Sequence, residues 1–351
     1  MSSDESPFGA CPMPFVDTEE VLLGHGSGGK LTARLIEQMI VPAFKNPILE
    51  ALDDQAVLPV ETGRLAFTTD SYVVTPIFFP GGDIGELAVN GTVNDLAMGG
   101  AQPRWLSLAF ILEEGFALRD LARVVESTRR AAARAGVTIV TGDTKVVGRG
   151  SGDKVFINTT GIGIVPPGVS LSSRRVQPGD AILLSGSAGD HGITILCQRQ
   201  GLELDGPIAS DTAPLHELVA AALAAYPDIH ALRDPTRGGV AATLVEIATR
   251  GKLGVEIDET AIPVSDTVRG ACEILGLDPL HVANEGKLVA FVPADGAERV
   301  LAALRAHPLG KEARRIGTVV AAHPGFVTAR TAIGGERIVD LPFGESLPRI
   351  C

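Results

Sequence analysis

The stretch that decides the fold is GGDIGELAVNGTVNDLAMGGAQP, residues 81–103, together with WLSLAFILE, residues 105–113, which follows it. Apolar residues recur every three or four positions from Ile84 to Ala97, and this spacing predicts an amphipathic helix. The second run is almost wholly apolar and predicts a buried strand. A helix that leads directly into a buried strand indicates a domain in which helices are layered on a sheet.

The elements around this core continue the same layering. A helix from about Arg119 to Ala135 ends at Gly136, the residue type that most often closes a helix. The strand at 137–141 should then deliver Gly142, Asp143 and Lys145 to its C-terminal end. Further elements of the first half are predicted as strands at 52–60, 64–71 and 156–165 and a helix at 31–40.

The second half begins after a segment rich in Pro, Ser and Gly at 165–180, which indicates a domain boundary. Beyond it strands and helices alternate, which favours an α/β or α+β domain. Elements are predicted as helices at 209–225 and 296–306, a loop leading into a helix at 231–250, and strands at 254–258, 287–293 and 313–320. From Gly334 onward Gly and Pro recur, and we predict a mobile tail. The predicted division is an arm at 1–43, an N-terminal domain at 44–166, a C-terminal domain at 175–333 and the tail at 334–351.

Composition limits the class of protein. The chain has 351 residues and a formal net charge of −12, and it therefore lacks the positive field that binds phosphate backbones. We expect no nucleic-acid partner. No apolar run reaches transmembrane length and the first residues are acidic and polar, so we expect a cytoplasmic protein that is not bound to a membrane. The four cysteines are far apart, which argues against zinc and against a disulfide framework.

Acidic side chains of the first half follow strands or lie in Gly-rich turns. They are Asp53, Asp54, Asp70, Asp95 and Asp143, with Lys145 beside the last. Carboxylates brought together repel one another, and Mg²⁺ offsets this repulsion because it binds carboxylates and phosphate oxygens at once. Each acid alone would be an ordinary turn cap. The series as a whole favours a magnesium–nucleotide site.

A glycine-rich loop, GHGSGGK at 24–30, has the spacing of a phosphate-binding P-loop. Leu31 stands where a P-loop carries the Ser or Thr that binds magnesium, so we do not interpret this loop as a P-loop. Two interpretations stay open: an arm that covers a ligand, or a flexible turn before the helix at 31–40.

Several segments together resemble one family. They are GHGSGGK, TTDS, LAVNGTVNDLAMGGA, GDTKVVGRG, SGSAGDHG, LRDPTRGGVA, ANEGK and the final PRIC. In this order they resemble the HypE family of hydrogenase maturation proteins, from about residue 20 to the end. The acid series is also similar to the wider superfamily of aminoimidazole ribonucleotide synthetase, selenophosphate synthetase and thiamine-monophosphate kinase.

The resemblance implies an α+β fold of two domains. The N-terminal sheet would pair with that of a second copy into a barrel-like homodimer, and the C-terminal α/β domain would pack against it. ATP would lie along the barrel. Matched residue by residue, Asp54, Asp70, Asp95 and Asp143 would hold Mg²⁺ and the ATP phosphates, with Asn94 assisting.

The activity implied by the resemblance is the ATP-dependent dehydration of an S-carbamoyl group on Cys351 to S-cyanide. HypF would supply the carbamoyl group, and a HypC–HypD complex would receive the cyanide as a ligand for the iron of [NiFe]-hydrogenase. Lys145 and Glu285 match positions near the thiol, and Glu285 is the candidate general base because the elimination must remove protons from nitrogen.

Two other functions stay open at this stage. A related enzyme would use ATP to phosphorylate a small free substrate, and it would have no use for Cys351. A carrier without enzymatic activity would bind ATP as a switch and move a group made elsewhere. His191 is predicted to be structural, with contact to substrate as the alternative. Asp234 could be a helix cap, and the glycines that follow it in RDPTRGG could let the backbone approach the tail or the nucleotide. Cys197 and Cys272 are predicted to be buried core.

Overall fold

The computed structural model describes residues 19–22, 25, 35–46, 63–202, 204 and 206–341. Several features predicted above lie outside the described residues: the strand at 52–60 with Asp53 and Asp54, most of the 24–30 loop, and Cys351. Within the described part of the chain, no helix is both long enough and apolar enough to cross a membrane.

Among the described residues, the N-terminal domain is built on a four-stranded mixed sheet in the order β1-β6-β4-β5. Strands β1 (Arg64–Tyr72), β6 (Val155–Val165) and β4 (Gln102–Glu113) are antiparallel neighbours, and β5 (Thr138–Val147) is parallel to β4. Burial alternates residue by residue along β6, so one face of the sheet is covered and the other is open. A short hairpin precedes the first long helix, with β2 (Phe78–Phe79) and β3 (Gly82–Asp83).

Two helices cover the inner face of this sheet, as the sequence predicts. Helix α1 (Ile84–Met98) is capped by the Asp83 carboxylate, which accepts hydrogen bonds from two backbone N–H groups of the first turn. Helix α2 (Leu118–Ala135) ends at Gly136, which has the left-handed conformation. Helix α1 lies so close to β1 that a Cβ at Gly91 would stand 2.3 Å from the Tyr72 hydroxyl. Glycine at this position lets α1 pack directly on Tyr72 of β1.

The C-terminal domain contains a seven-stranded sheet among the described residues, in the order β13-β12-β9-β11-β7-β10-β8. Its pairs are antiparallel except β12 with β9, so the domain is α+β in character. Its strands are β7 (Ala181–Leu184), β8 (Ala231–Arg233), β9 (Gly254–Asp258), β10 (Val289–Val292), β11 (Arg314–Val320), β12 (Val327–Arg330) and β13 (Glu336–Val339). Its helices are α3 (Asp190–Gln200), α4 (His216–Ala225), α5 (Gly239–Gly251), α6 (Asp266–Leu275) and α7 (Ala297–Ala306).

The two domains share apolar cores. Ala97 and Met98 at the end of α1 belong to a buried cluster that is otherwise formed by the C-terminal domain. In the other direction, Ile195 of α3 and Ala283 are buried within the core of the N-terminal domain. Burial of this apolar surface from both sides fixes α1 against the C-terminal domain.

Three elements differ from those predicted. Strand β5 runs to Val147, so Gly142, Asp143 and Lys145 lie within it and do not follow its end. Pairing with β4 continues through these residues, with Asp143 opposite Ala109, and this ladder overrides the break that Gly142 indicates. Residues 209–215 form an irregular segment, and the helix begins only at His216. Pro214 explains the late start, since a proline has no N–H to donate to an earlier helical turn.

The third difference concerns the predicted tail. Residues Glu336–Val339 form β13, which pairs with β12 at the edge of the sheet. Arg337 contacts both Glu259 and Asp278 and ties the strand to the domain. The predicted tail is therefore part of the sheet as far as Val339, because a hairpin with a Gly-containing turn can follow β12 directly.

Candidate active site at the domain interface

Two of the predicted acids face the C-terminal domain from the inner side of the first sheet. Asp70 is on the same face of β1 as Thr68 and Tyr72, and Asp95 is on α1. The Thr68 hydroxyl donates a hydrogen bond of 2.8 Å to the Asp95 carboxylate. Burial, with Asp234 and Asp70 nearby, raises the pKa of Asp95 to about 6. Asp95 therefore lies in a site that is short of positive charge.

The C-terminal domain contributes two further acids to the same place. Glu285 is 4% exposed, and its Oε1 atom is buried without a hydrogen-bond partner. Burial raises its pKa well above the usual value, and the charges of Asp211, Asp234 and Asp70 raise it further, while Arg237 opposes them. Burial likewise raises the pKa of Asp234, against the charge of Arg233.

Tyr72 lies close to acids of both domains. Its ring is buried, and its hydroxyl is 3.3 Å from that of Thr92. Burial raises the pKa of Tyr72 well above its usual value, and Asp70, Glu285 and Asp95 all raise it further. Because charges of both domains raise the pKa of this one phenol, these acids must lie near one another.

The residue types of this acidic site fit a magnesium ion, which takes carboxylate oxygens and offsets their repulsion. Asp70, Asp95 and Asp234 stand in one charge cluster, in which the ionised forms of Asp95 and Asp234 are disfavoured. No group of three His, Cys, Asp or Glu residues reaches ligand geometry in the part of the chain that the structure describes. The site thus supplies the right charge, and phosphate oxygens or water would complete the ligand set.

Asn94 lies beside Asp95 but makes contacts between the domains. Its Nδ2 donates to the carbonyls of Ala213 and Glu285, each at 3.1 Å, and its Oδ1 accepts from the backbone N–H of Leu215 at 2.8 Å. With both ends of the amide engaged, Asn94 fixes the position of Glu285 relative to α1. The predicted assistance of Asn94 to the phosphates stays a prediction.

Asp143 and Lys145 lie on the other face of the sheet. They form an exposed ion pair of 3.0 Å, and their side chains are 60% and 64% exposed. The hydrogen bond from Lys145 lowers the pKa of Asp143. Strand β5 is separated from β1 by β4 and β6, so Asp143 and Asp70 are about 14 Å apart across the sheet as well as on opposite faces. A single chain does not bring this pair to the acidic site.

The open face that carries this pair has an apolar part and a polar part. Phe67 is 70% exposed, Leu65 53% and Ile111 42%. Between them the side chains of Ser71, Thr160 and Asn158 form hydrogen bonds across the strands, Asn158 with Ser71 at 3.0 Å and Thr160 with Thr69 at 2.9 Å. Large apolar residues that are exposed on one open sheet face indicate a contact surface.

Residues predicted to be structural have structural surroundings. His191 is fully buried, its Nδ1 is 2.8 Å from the Ser210 hydroxyl, and its ring meets Phe79 edge-on at 5.7 Å. Cys197 and Cys272 are buried in one apolar cluster, which confirms their predicted role in the core.

Sequence reasoning missed three residues of the site. Asp234 was interpreted as a cap, Asp211 lies in a segment predicted as helix, and Tyr72 was not singled out. A signal was present for Asp234, since RDPTRGG places an acid and a glycine pair between a strand and a helix, where binding sites often lie. No comparable signal marks Asp211.

Comparison with known proteins agrees with this architecture. Residues 52–165 match the model of the AIR synthase related protein N-terminal domain, and residues 177–330 match that of its C-terminal domain. Carbamoyl dehydratase HypE of Azotobacter vinelandii is 58% identical over 327 residues, which cover 93% of this chain and 96% of that protein. The chain belongs to the HypE family.

Solved structures of HypE proteins have the same fold. The structure of hydrogenase maturation protein HypE in complex with ATP is 54% identical with a TM-score of 0.91, covering 94% of this chain and 99% of that one. The structure of a HypE–HypF complex is 48% identical with a TM-score of 0.78, covering 88% and 99%. The predicted family and two-domain fold are thereby confirmed.

Proposed function

We propose that this chain dehydrates an S-carbamoyl group on its own Cys351 to S-cyanide at the expense of ATP. Membership of the HypE family supports the activity, and the ATP complex of a relative supports the nucleotide. The observation that carries the proposal is the environment of the Glu285 side chain. Its buried carboxylate has an oxygen without a partner and lies at the interface where the acids of the two domains meet.

The reaction has two bond-forming stages. The carbamoyl oxygen attacks the γ-phosphorus of ATP, a P–O bond forms as the bond to ADP breaks, and one N–H proton is released. The product is an imidate phosphate. Its C–O bond then breaks, the second N–H proton is removed, and the nitrogen lone pair completes the C≡N bond. Inorganic phosphate leaves with the original carbamoyl oxygen, so the carbamoyl group has lost one water.

Glu285 is suited to removing the proton from nitrogen. Its raised pKa means that a proton taken by this carboxylate is held well, although the carboxyl must first lose its own proton. A Mg²⁺ ion held by the neighbouring acids would favour the ionised form of Glu285. The unsatisfied Oε1 atom then has a hydrogen-bond partner when the carbamoyl N–H reaches it.

The acids named from the family pattern are proposed to hold the nucleotide. Asp54, Asp70, Asp95 and Asp143 would bind Mg²⁺ and orient the phosphates, and the metal would offset the charge on the γ-phosphoryl group. Lys145 would lie near the transferring phosphoryl or the carbamoyl. Which of Asp53 and Asp54 contributes stays open, since both lie outside the described residues.

Two copies of the chain are proposed to complete one site. Strands β1 and β5 are the edges of the sheet among its described strands, and they run in the same direction. Asp70 and Gly142 occupy the same row across the sheet, through Thr159 and Leu108. If β1 of one copy lies beside β5 of the other, the strand that carries Asp143 and Lys145 becomes the neighbour of the strand that carries Asp70. The apolar residues of the open face support such a homodimer.

Partners follow from the chemistry of the cargo. HypF would supply the carbamoyl group, which is supported by the HypE–HypF complex of a relative. A HypC–HypD complex would receive the cyanide.

The chain from Asp340 to Cys351 can span at most about 36 Å when extended, which allows Cys351 to reach positions some distance from β13. The proposed compartment is the cytoplasm.

Intact-mass measurement tests the proposal. The full chain is carbamoylated by HypF, Mg-ATP is added, and the mass at Cys351 is followed by peptide mapping. We expect the loss of one water with one ATP consumed for each group, and no cargo on Cys351→Ala. ATP turnover that does not depend on Cys351 would favour a kinase of a small free substrate, and cyanation without ATP consumption would favour a carrier.

A further inference from the structure

The turn that carries Glu285 is held from both sides by hydrogen bonds to its peptide groups. On one side is Asp211, whose side chain is 4% exposed. Its Oδ1 accepts the backbone N–H of Glu285 at 3.0 Å, and its Oδ2 accepts the N–H of Gly286 at 3.2 Å. One carboxylate therefore fixes two consecutive peptide groups of the turn.

The other side of the turn is held by α1. The Asn94 amide donates to the carbonyl of Glu285, so the Glu285 residue is bound at both its N–H and its C=O. Asn94 also binds Ala213 and Leu215, which belong to the same irregular segment as Asp211. The segment 209–215 thus links the helix of the first domain to the turn of the second.

The fit between Asp211 and the turn is tight. A Cβ on Gly286 would lie 1.8 Å from the backbone oxygen of Asp211, so only glycine permits this approach. Lys287, the next residue, donates to Asp211 Oδ2 at 2.9 Å and lies 3.9 Å from Asp190. The chain that presents Glu285 therefore also supplies the cation that neutralises Asp211.

Asp211 is ionised in this setting. Burial would raise its pKa, yet Lys287, His191 and the backbone donors together lower it. A buried carboxylate that keeps its charge holds its donors with stronger hydrogen bonds than a neutral acceptor does. Asp211 can therefore restrict the turn more firmly than a neutral side chain of the same shape.

We propose that Asp211, neutralised by Lys287, is a positioning residue that holds the Glu285 carboxylate at the carbamoyl nitrogen. This inference rests on the proposed role of Glu285 and adds a second residue to it. Asp211 touches neither substrate nor nucleotide in this account, and it acts only through the Glu285–Gly286 peptide groups. Small displacements of a catalytic group cost large factors in rate, so a loosened turn should slow dehydration without weakening the nucleotide site.

A double-mutant cycle tests the inference on the full-length carbamoylated protein with Mg-ATP. We expect Asp211→Asn to slow single-turnover dehydration by about 10- to 100-fold, with the KM for ATP within about 2-fold of the parent value. In a Glu285→Gln background, Asp211→Asn should cost less than about 2-fold, because the group it positions is already absent. A role in general stability would slow both backgrounds equally and would overturn the inference.

Two further variants keep the test decisive. Asp211→Asn with Lys287→Gln removes both buried charges, so it avoids leaving Lys287 without its nearest partner if the single variant folds poorly. It should show the same loss of rate. Asp180→Asn is the matched control. Asp180 is also buried, accepts a backbone N–H and pairs with His230. It directly precedes β7 and makes none of these contacts with the Glu285 turn. The variant should lower the melting temperature and leave dehydration within about 2-fold.

The outcomes separate this inference from the proposed function. If Glu285→Gln dehydrates at the parent rate, the role of Glu285 as base is wrong and the inference falls with it. If Glu285→Gln is slow but Asp211→Asn is not, the base stands and only the positioning role is overturned. If Asp211→Asn weakens ATP binding as much as it slows dehydration, Asp211 belongs to the nucleotide site instead.

Discussion

Two aspartates of the same domain, Asp95 and Asp143, meet opposite surroundings. Asp95 is partly buried beside α1, close to other acids, and its pKa is raised to about 6. Asp143 is exposed on the far face of the sheet, where a hydrogen bond from Lys145 lowers its pKa. The resemblance predicts that both belong to one metal–nucleotide site, yet one chain holds them on different faces.

The acids that the sequence predicts for the nucleotide site therefore lie in two places in one chain: one group at the domain interface and one on the open face of the sheet. The half at the domain interface has an excess of negative charge and a candidate base, Glu285. The half on the open face has Lys145, which stands opposite Ile111, a residue that is 42% exposed. The proposed homodimer would join Glu285 of one half and Lys145 of the other in one site built from two copies.

Substitutions of Glu285 and Lys145 should have the largest effects on the dehydration rate. Glu285→Gln should lower the dehydration rate by about 10²–10⁴-fold, since a general base contributes about this much. ATP binding should persist, because the nucleotide acids are unchanged. Stopped reactions analysed by intact mass, with ATP affinity measured separately, check the expectation. Equal losses of binding and rate would place Glu285 in the nucleotide site.

Lys145 is the matching test on the open face. Lys145→Met should slow dehydration by about 10- to 10³-fold, because the cation opposes charge that develops on the phosphoryl group. Lys145→Arg keeps the charge and should recover part of the rate. A Lys145→Met variant with full activity would show that the exposed ion pair has no part in the reaction.

The apolar part of the open face should govern assembly. Phe67→Asp places a charge among the exposed apolar residues of the sheet and should convert dimers to monomers in analytical ultracentrifugation. Ile338→Asp is the control, since Ile338 is 61% exposed on β13 of the other domain. It should leave the assembly unchanged. A dimer that survives Phe67→Asp would mean that the contact lies elsewhere.

A smaller effect concerns stability and pH. Burial, together with the charge of Asp211 and against that of Lys287, raises the pKa of Asp190 to about 6. An acid with a raised pKa favours the folded state when protonated, so this contribution is present below about pH 4 and is lost as the pH rises through 6.

Asp190→Asn does not ionise and should stabilise the protein by about 1–3 kcal/mol at pH 8 while changing little at about pH 3.5. Urea unfolding of both proteins at the two pH values measures the difference. A stabilisation that is equal at both values would show that ionisation of Asp190 is not its cause.

Much of the fold could be predicted because local patterns and tertiary structure agree. Helix α1 and strand β4 follow from apolar spacing, and the end of α2 follows from Gly136. Predictions failed where long-range pairing decided the outcome. Strand β5 continues past Gly142 because β4 lies beside it, and β13 forms because β12 offers an edge.

The sequence predicts some residues of the site but not how the fold arranges them. Motif residues such as Asp70, Asp95 and Glu285 could be named from the sequence because they stand in recognisable segments. Their division between two faces depends on strand order, which no local pattern contains. Asp211 lies far from Glu285 along the chain, and only the folded structure joins their peptide and carboxylate groups.

Complementation between copies tests the central claim most directly. Lys145→Met and Glu285→Gln chains are mixed, allowed to exchange subunits, and assayed for dehydration of carbamoylated Cys351. If one site uses Lys145 of one copy and Glu285 of the other, each hybrid dimer has one intact site, and random mixing should restore about a quarter of the parent activity. If each chain holds its whole site, every site in the hybrid carries one defect, and activity should stay at the level of the separate variants.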